Sequence, residues 1–177
     1  MGQDIQIDDV ILMSLKENRD DRGALVEIYG SAWPGAPILH QFNWVRCEAN
    51  TLRGVHVHST HIDWLSVIEG EMLIGLYDCR RGRSTFGRSQ MVRLAADTPQ
   101  ALMIPEGVAH GFCSEERGTF VYGLSNRWSM AGEKTIQWND PALVLDWPLK
   151  TPHLSERDKN GRPLATILAE IDALEPA

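Results

Sequence analysis

Short apolar runs, separated by turn-forming residues, fill most of the chain from about residue 23 to residue 124. ALVEIYG, DWLSVIEG, EMLIGLYDC, QMVRLAA, QALMIP and TFVYGL are rich in β-branched, aliphatic and aromatic residues, which favour strands. Turn signals recur about every 8–12 residues, which is typical of antiparallel sandwiches and barrels. Gly70 lies between two glutamates and is predicted to centre a hairpin. The pattern therefore predicts an all-β fold.

The pattern changes near the C-terminus. The segment PLATILAEIDAL spaces its apolar residues as one face of a helix does, at Leu164, Ile167, Leu168, Ile171 and Leu174. Pro163 suits the first turn of a helix. We predict a helix over about residues 163–174, packed on the outside of the sheet or on a partner subunit. Since the chain has no linker or repeat, residues 1–177 are predicted to form a single domain.

Composition narrows the functional classes. The chain has 177 residues and a formal net charge of −7, which argues against a nucleic-acid binder because such proteins need a basic surface. It contains no apolar run of about 20 residues and its N-terminus does not resemble a secretory signal. We therefore expect a cytoplasmic protein with no membrane partner. Cys47, Cys79 and Cys113 are expected to be free thiols.

The segment LRGVHVHSTHIDWLSVIEG concentrates three histidines and an aspartate. On a strand, His56 and His58 point to the same face because side chains alternate. Together with Asp63 and the later His110, they resemble cupin-superfamily barrels, in which such residues converge on one divalent metal. Three imidazoles and a carboxylate suit Zn, Mn, Fe or Ni. His61 has the opposite parity and is predicted to face solvent. The alternative to a metal site is a polar strand lining.

Six blocks of sequence point to a different chemistry. They are DDRGALVEIY, QFNWVRCEANTLRGVHVH, DCRRGRSTFG, IPEGVAHGF, IQWNDPALVLDWP and LSERD. In this order they resemble the dTDP-4-dehydrorhamnose 3,5-epimerases, which are cupin-fold enzymes of deoxysugar-nucleotide biosynthesis. The resemblance implies a jelly-roll β-sandwich or barrel, an isomerase that needs no cofactor, a dTDP-linked sugar substrate and a homodimer. The apolar segment IDDVILMSL also favours a homodimer, unless it forms an edge strand.

The resemblance also implies residue roles. The family inverts carbons 3 and 5, which flank a C4 ketone, by removing a proton and returning one to the other face. His56 matches the catalytic base, Asp158 its dyad carboxylate and Tyr122 the opposing acid; a histidine held by a carboxylate suits a base that works near neutral pH. The positions that match nucleotide, diphosphate or sugar binding are Arg22, Glu27, Gln41, Asn43, Arg53, His110, Glu133 and Arg157.

Four positions depart from the family pattern. Asp63 replaces a lysine that steadies the enolate, His58 replaces a glutamine, Phe42 an aspartate and Trp128 a tyrosine. A divalent metal at His56, His58, Asp63 and His110 could replace the lysine as electrophile. Alternatively, His56 remains the base and His58, charged by Asp63, does the lysine's work, or the classical activity is lost. A sugar-nucleotide 3,4-ketoisomerase, a metal-dependent cupin and a non-catalytic sugar-binding cupin also remain as alternatives.

Overall fold

The computed structural model describes residues 3–173, and within that range strands are the main regular secondary structure. The strands are β1 (Ile11–Ser14), β2 (Glu17–Asp20), β3 (Gly23–Val26), β4 (Gln41–Cys47), β5 (Thr51–His58), β6 (Asp63–Glu69), β7 (Glu71–Asp78), β8 (Ser89–Ala95), β9 (Gln100–Ile104), β10 (Val108–Ser114), β11 (Gly118–Leu124) and β12 (Glu133–Thr135). The helices are α1 (Glu156–Lys159) and α2 (Leu164–Asp172), with short 3-10 helices at Met130–Gly132 and Pro141–Leu143.

Ten strands form two five-stranded antiparallel sheets that face each other. The first sheet has the order β1-β9-β6-β11-β4, and the second has the order β12-β5-β10-β7-β8. Strands β2 and β3 form a separate hairpin. The predicted cupin-type β-sandwich is confirmed.

The main core lies between the two sheets. Leu65 and Phe120 from the first sheet pack with Ile74, Leu76 and Val92 from the second, and each is nearly or completely buried. Alternate residues of each strand point inward, so one end of this interior can be lined by polar side chains while the rest is apolar. The candidate active site lies at that polar end.

Helix α2 covers the outer face of the second sheet. Leu164 and Ile167 are buried against Val57 and Ile136, and Pro163 directly precedes the helix. The predicted start of the helix is confirmed, and it packs on its own chain; Leu174 lies outside the described residues. No helix among residues 3–173 has the length and apolar character needed to cross a bilayer.

Two details of the sequence prediction require revision. Strands β6 and β7 flank Gly70 but belong to different sheets, so the predicted hairpin is wrong: Gly70, with φ of +72°, turns the chain from one sheet to the other. The apolar N-terminal segment forms β1, which pairs with β9 at the edge of the first sheet. Because this segment is used within one chain, it no longer argues for a dimer.

Candidate active site

His56 lies on β5, directly opposite His110 of β10 in the antiparallel register. Directly opposed residues point to the same face of a sheet. His110 contacts Asp63 of the first sheet, so this face is the interior between the sheets. The side chain of His56 is 15% exposed, which leaves part of the imidazole accessible to a ligand.

Asp158 holds one edge of the His56 ring. Its Oδ1 lies 2.7 Å from His56 Nε2, and its backbone N–H donates to the side chain of Ser155, which caps helix α1. Burial alone raises the pKa of the Asp158 carboxyl, but the hydrogen bond from His56 outweighs it and the pKa is lowered. Because the Asp158 carboxylate only accepts hydrogen bonds, this contact favours a proton on Nε2 of the imidazole.

Glu133 faces the second ring nitrogen of His56, and Arg157 lies close to both ring nitrogens. Glu133 Oε1 lies 3.1 Å from His56 Nδ1, and Arg157 Nη2 lies 2.9 Å from Nδ1 and 2.6 Å from Nε2. Arg157 Nη2 also donates to Glu133 Oε1 at 2.9 Å. Burial opposes ionisation of Glu133, but the charge of His56 and the indole N–H of Trp128 lower its pKa overall. Three charged groups thus surround the imidazole.

Tyr122 lies on the opposite wall. It belongs to β11, between Asn43 of β4 and Leu65 of β6. Burial raises the pKa of its phenol, and the Asp63 and Glu133 carboxylates raise it further, so the hydroxyl keeps its proton at neutral pH. The side-chain N–H of Gln41 donates to the side-chain Oδ1 of Asn43 at 3.1 Å.

A second polar cluster lies beside the first. Asp63 Oδ2 is 3.0 Å from His58 Nε2 and 3.0 Å from His110 Nε2. Burial alone raises the pKa of Asp63, but the hydrogen bonds from His110 and His58 hold it well below its usual range. The prediction that His61 faces solvent is wrong: it is 2% exposed and stacks on His58. Strand β5 ends at His58, so side-chain alternation does not continue through the following turn.

The metal interpretation is only partly matched by this geometry. Within residues 3–173, the imidazole and carboxylate groups close enough to share an ion are those of His58, His61 and Asp63. His56 is not among them, because its ring nitrogens face Asp158, Glu133 and Arg157. The same strand therefore supplies histidines to two separate clusters.

The remaining expected binding residues divide into two groups. The guanidinium of Arg53 donates to Cys47 Sγ at 3.4 Å near the interior. Arg22 is instead paired with Asp20 on the β2–β3 hairpin, with its side chain 85% exposed, and Glu27 follows that hairpin. In the described part of the chain, no hydrogen bond or ion pair joins Arg22 or Glu27 to the His56 group.

The other two departures from the family pattern are both exposed, but they contact different groups. Phe42 is 53% exposed and its ring contacts Tyr29 edge-on, so it points away from the interior. Trp128 borders the site: its backbone N–H donates to the Gln41 side chain and its indole N–H to Glu133.

Sequence reasoning missed the placement of His61 and the contacts of Trp128. The three histidines in VHVHSTH suggested that His61 joins the same cluster as His58. The turn at residues 59–60 changes the direction of the side chains, so strand alternation gave the wrong face for His61. For the second, the contact with Gln41 joins residues 87 positions apart, and nothing in the sequence pattern around Trp128 indicated its contact with Glu133.

Comparisons with known proteins point to one enzyme family. The family model for dTDP-4-dehydrorhamnose 3,5-epimerase matches residues 4–166. A dTDP-4-dehydrorhamnose 3,5-epimerase of Pseudomonas aeruginosa is 36% identical over 170 residues, covering 91% of this chain and 94% of that protein. The corresponding protein of Shigella flexneri is 31% identical and covers 89% of this chain and 92% of its own.

Solved structures show the same architecture. A dTDP-6-deoxy-D-glucose-3,5-epimerase of Legionella pneumophila, in complex with dTDP-4-keto-L-rhamnose, superposes with a TM-score of 0.86 at 30% identity and covers 94% of each chain. A 3'-monoepimerase of Streptomyces bikiniensis, in complex with dTDP-quinovose, has a TM-score of 0.86 at 28% identity and covers 98% of this chain and 91% of its own. The resemblance carried by the six sequence blocks is confirmed, as is the expectation of an isomerase. The chain belongs to the dTDP-4-dehydrorhamnose 3,5-epimerase family.

Proposed function

We propose that this protein epimerises a dTDP-linked 4-keto-6-deoxy sugar at one or both of the carbons next to the ketone. The observation that carries the proposal is the His56–Asp158 pair, with Nε2 and Oδ1 2.7 Å apart, in an interior whose opposite wall carries Tyr122. Family membership supports an epimerase over a ketoisomerase or a non-catalytic cupin.

His56 is the proposed base. Asp158 keeps a proton on Nε2, so Nδ1 has the lone pair that removes a proton from carbon. The ketone acidifies this proton because the resulting charge moves onto the carbonyl oxygen as an enolate. The imidazolium formed on His56 is stabilised by the two carboxylates, Asp158 and Glu133.

Tyr122 is the proposed acid. Its raised pKa keeps the phenol protonated near pH 7, so it can give a proton to the face of the sugar opposite His56. Removal on one face and return on the other inverts the carbon. The proton transfers themselves require no cofactor.

Arg157 is the proposed diphosphate contact. Its side chain is 37% exposed while Glu133 beside it is 8% exposed, and a planar guanidinium can donate two hydrogen bonds to a phosphate group. Movement of Arg157 towards the diphosphate would also uncover Nδ1 of His56. Gln41, Asn43 and Arg53 are proposed to hold the nucleotide, while the buried His110 and Glu133 line the sugar pocket.

We also infer a homodimer. Arg22 and Glu27 lie on the hairpin side of the molecule and not at the His56 group, so a partner subunit is the simplest way for them to reach a bound nucleotide. Exposed aromatic residues on the outer face of β4, Phe42 at 53% and Trp44 at 56%, offer a surface for a second copy.

The function is tested by incubating the protein with dTDP-4-keto-6-deoxy-D-glucose in D2O and following the sugar by NMR. Deuterium at C3 and C5, with formation of dTDP-4-keto-L-rhamnose, is the expected result for double inversion; deuterium and inversion at C3 alone identify a 3-epimerase. Movement of the ketone to C3 would identify a ketoisomerase. Tight binding without exchange would identify a non-catalytic sugar-binding protein and overturn the proposal.

A further inference from the structure

We propose that Trp128 is a positioning residue that holds Glu133 against the proposed base, His56. This inference rests on the proposed function and deepens it, because it names the group that orients a carboxylate beside the imidazole. Trp128 is one of the positions at which the chain departs from the family pattern, so the roles carried over from the family assign it no task.

Two neighbours donate hydrogen bonds to the Glu133 carboxylate. The indole N–H of Trp128 donates to Oε2, and the Arg157 guanidinium donates to Oε1 at 2.9 Å and to Oε2 at 3.4 Å. An indole N–H and a guanidinium only donate, so both contacts favour the ionised carboxylate. When Arg157 moves to the diphosphate, as proposed above, Trp128 is the one of these two donors that stays on Glu133.

Glu133 in turn faces the base. Its Oε1 lies 3.1 Å from His56 Nδ1, the nitrogen proposed to remove a proton from carbon. Because a carboxylate is planar, holding Oε2 at the indole also sets the direction of Oε1. The positive charge that forms on His56 during proton removal is then met by an anion already in place, which stabilises a transition state without reorganisation.

The backbone of Trp128 is tied to the wall that carries Tyr122. Its N–H donates to Gln41 Oε1 at 3.1 Å, and Gln41 Nε2 donates to Asn43 Oδ1 at 3.1 Å. Asn43 lies directly opposite Tyr122 in the antiparallel register, so the two side chains point to the same face of the sheet. Trp128 therefore links β4 of the first sheet to β12 of the second, between the proposed acid and the proposed base.

The alternative role for Trp128 is direct contact with the bound sugar nucleotide. The residue is 42% exposed, so part of its ring is available to a ligand. The two roles predict different kinetics: loss of a ligand contact weakens binding, whereas displacement of Glu133 slows the chemical step. Binding and proton exchange must therefore be measured separately.

The key variant is Trp128→Phe, which keeps an aromatic ring and removes the indole N–H. We expect deuterium exchange into saturating dTDP-4-keto-6-deoxy-D-glucose to slow by roughly 10-fold or more, because a hydrogen bond to a charged group is lost, while the Kd for dTDP stays unchanged. Trp147→Phe is the matched control. It also loses an indole hydrogen bond, to the Trp138 carbonyl oxygen at 3.1 Å in the cluster beneath helix α2, and should exchange at the wild-type rate.

A second measurement needs no sugar nucleotide, so failure of this inference is distinguishable from failure of the proposed function. In protein labelled with ¹⁵N-histidine, the Nδ1 resonance of His56 reports on the group that faces it. We expect Trp128→Phe and Glu133→Gln each to shift this resonance, and Trp147→Phe to leave it in place. The double variant should shift it little further than Glu133→Gln alone, since residues that act through one contact are not additive.

The outcomes divide cleanly. A shifted His56 resonance with slower exchange and unchanged dTDP affinity supports the positioning role, and the shift supports it even if the wild type exchanges no proton of the sugar. An unshifted resonance in a folded Trp128→Phe protein would overturn the proposal. Weaker dTDP binding with undiminished exchange, or an equal loss of exchange in Trp147→Phe, would also contradict it. If Trp128→Phe does not fold, an unshifted resonance in Glu133→Gln gives the same negative answer.

Discussion

His56 has hydrogen-bond partners for both of its protonation states. Its Nε2–H donates to Asp158 in either state. When the ring is neutral, Nδ1 accepts from Arg157; when the ring is protonated, Nδ1 donates to Glu133. A general base passes between a neutral and a protonated form during the reaction, and His56 keeps a hydrogen-bond partner at Nδ1 in each of them.

Tyr122→Phe separates proton removal from proton return. The ring is retained, so packing against Phe120 is preserved while the acidic proton is lost. We expect exchange of the sugar proton with D2O to continue and inversion to slow by roughly 100-fold or more, the usual contribution of a positioned acid. NMR measures both in one sample. Inversion at the wild-type rate would remove Tyr122 from the proposed role.

At the scale of the element, Gly54 determines how closely β5 approaches β10. Its φ is +114°, and a Cβ there would lie 2.8 Å from Gly111 Cα and 2.9 Å from His110 O. We expect Gly54→Ala to lower the free energy of unfolding by roughly 1–3 kcal/mol, as overpacking does, and to displace His56, two residues further along. Urea denaturation measures the change. Gly82→Ala, where a Cβ meets nothing within 4 Å, is the control; equal stability of the two variants would contradict this account.

The β7–β8 hairpin depends on buried Asp78. Burial alone raises the pKa of its carboxyl, but hydrogen bonds from Arg80 and Thr85 outweigh that effect and lower it. Because the folded pKa lies below the unfolded value of about 3.9, the stabilisation is present above that pH and is lost as the pH falls through the folded pKa.

Asp78→Asn is therefore expected to cost about 3 kcal/mol at pH 7, since it breaks a buried ion pair. It should also flatten the loss of stability below about pH 4, which urea titrations at several pH values will show. Asp172→Asn, at a more exposed pair with Arg81, should behave as the wild type. If the two variants respond alike to acid, Asp78 is not the group responsible.

The sequence predicted the strands more accurately than the turns that connect them. The five predicted apolar runs between Asp63 and Leu124 all became strands, because their side chains fill the space between two sheets. Gly70 and His61 were misjudged for a shared reason: each lies at a turn between strands, where period-two alternation no longer applies. A glycine with positive φ is equally compatible with a hairpin and with a crossing between sheets.

At the scale of the whole molecule, the proposed homodimer can be tested through β4. Trp44→Glu places a charge on the exposed outer face of that strand and is expected to convert a dimer into a monomer in sedimentation velocity. Val144→Glu, at a residue 77% exposed beyond the second sheet, should remain dimeric. A wild type that sediments as a monomer would contradict the inference.

Much of the candidate site was predictable because the family motifs fix its residues along the chain. The His56–Asp158 contact joins residues 102 positions apart, which local patterning could not predict and the resemblance did. The resemblance also predicted Arg22 and Glu27 as binding residues, but within one chain they do not lie at the site. The functional roles of His56, Asp158 and Tyr122 stay predictions until they are measured.

The most direct test of the central claim measures deuterium uptake into dTDP-4-keto-6-deoxy-D-glucose by His56→Ala, with His153→Ala as the matched control. The account predicts that His56→Ala loses at least about 100-fold in exchange at the carbons next to the ketone while it still binds dTDP, and that His153→Ala exchanges at the wild-type rate. Undiminished exchange in a folded His56→Ala protein would contradict it.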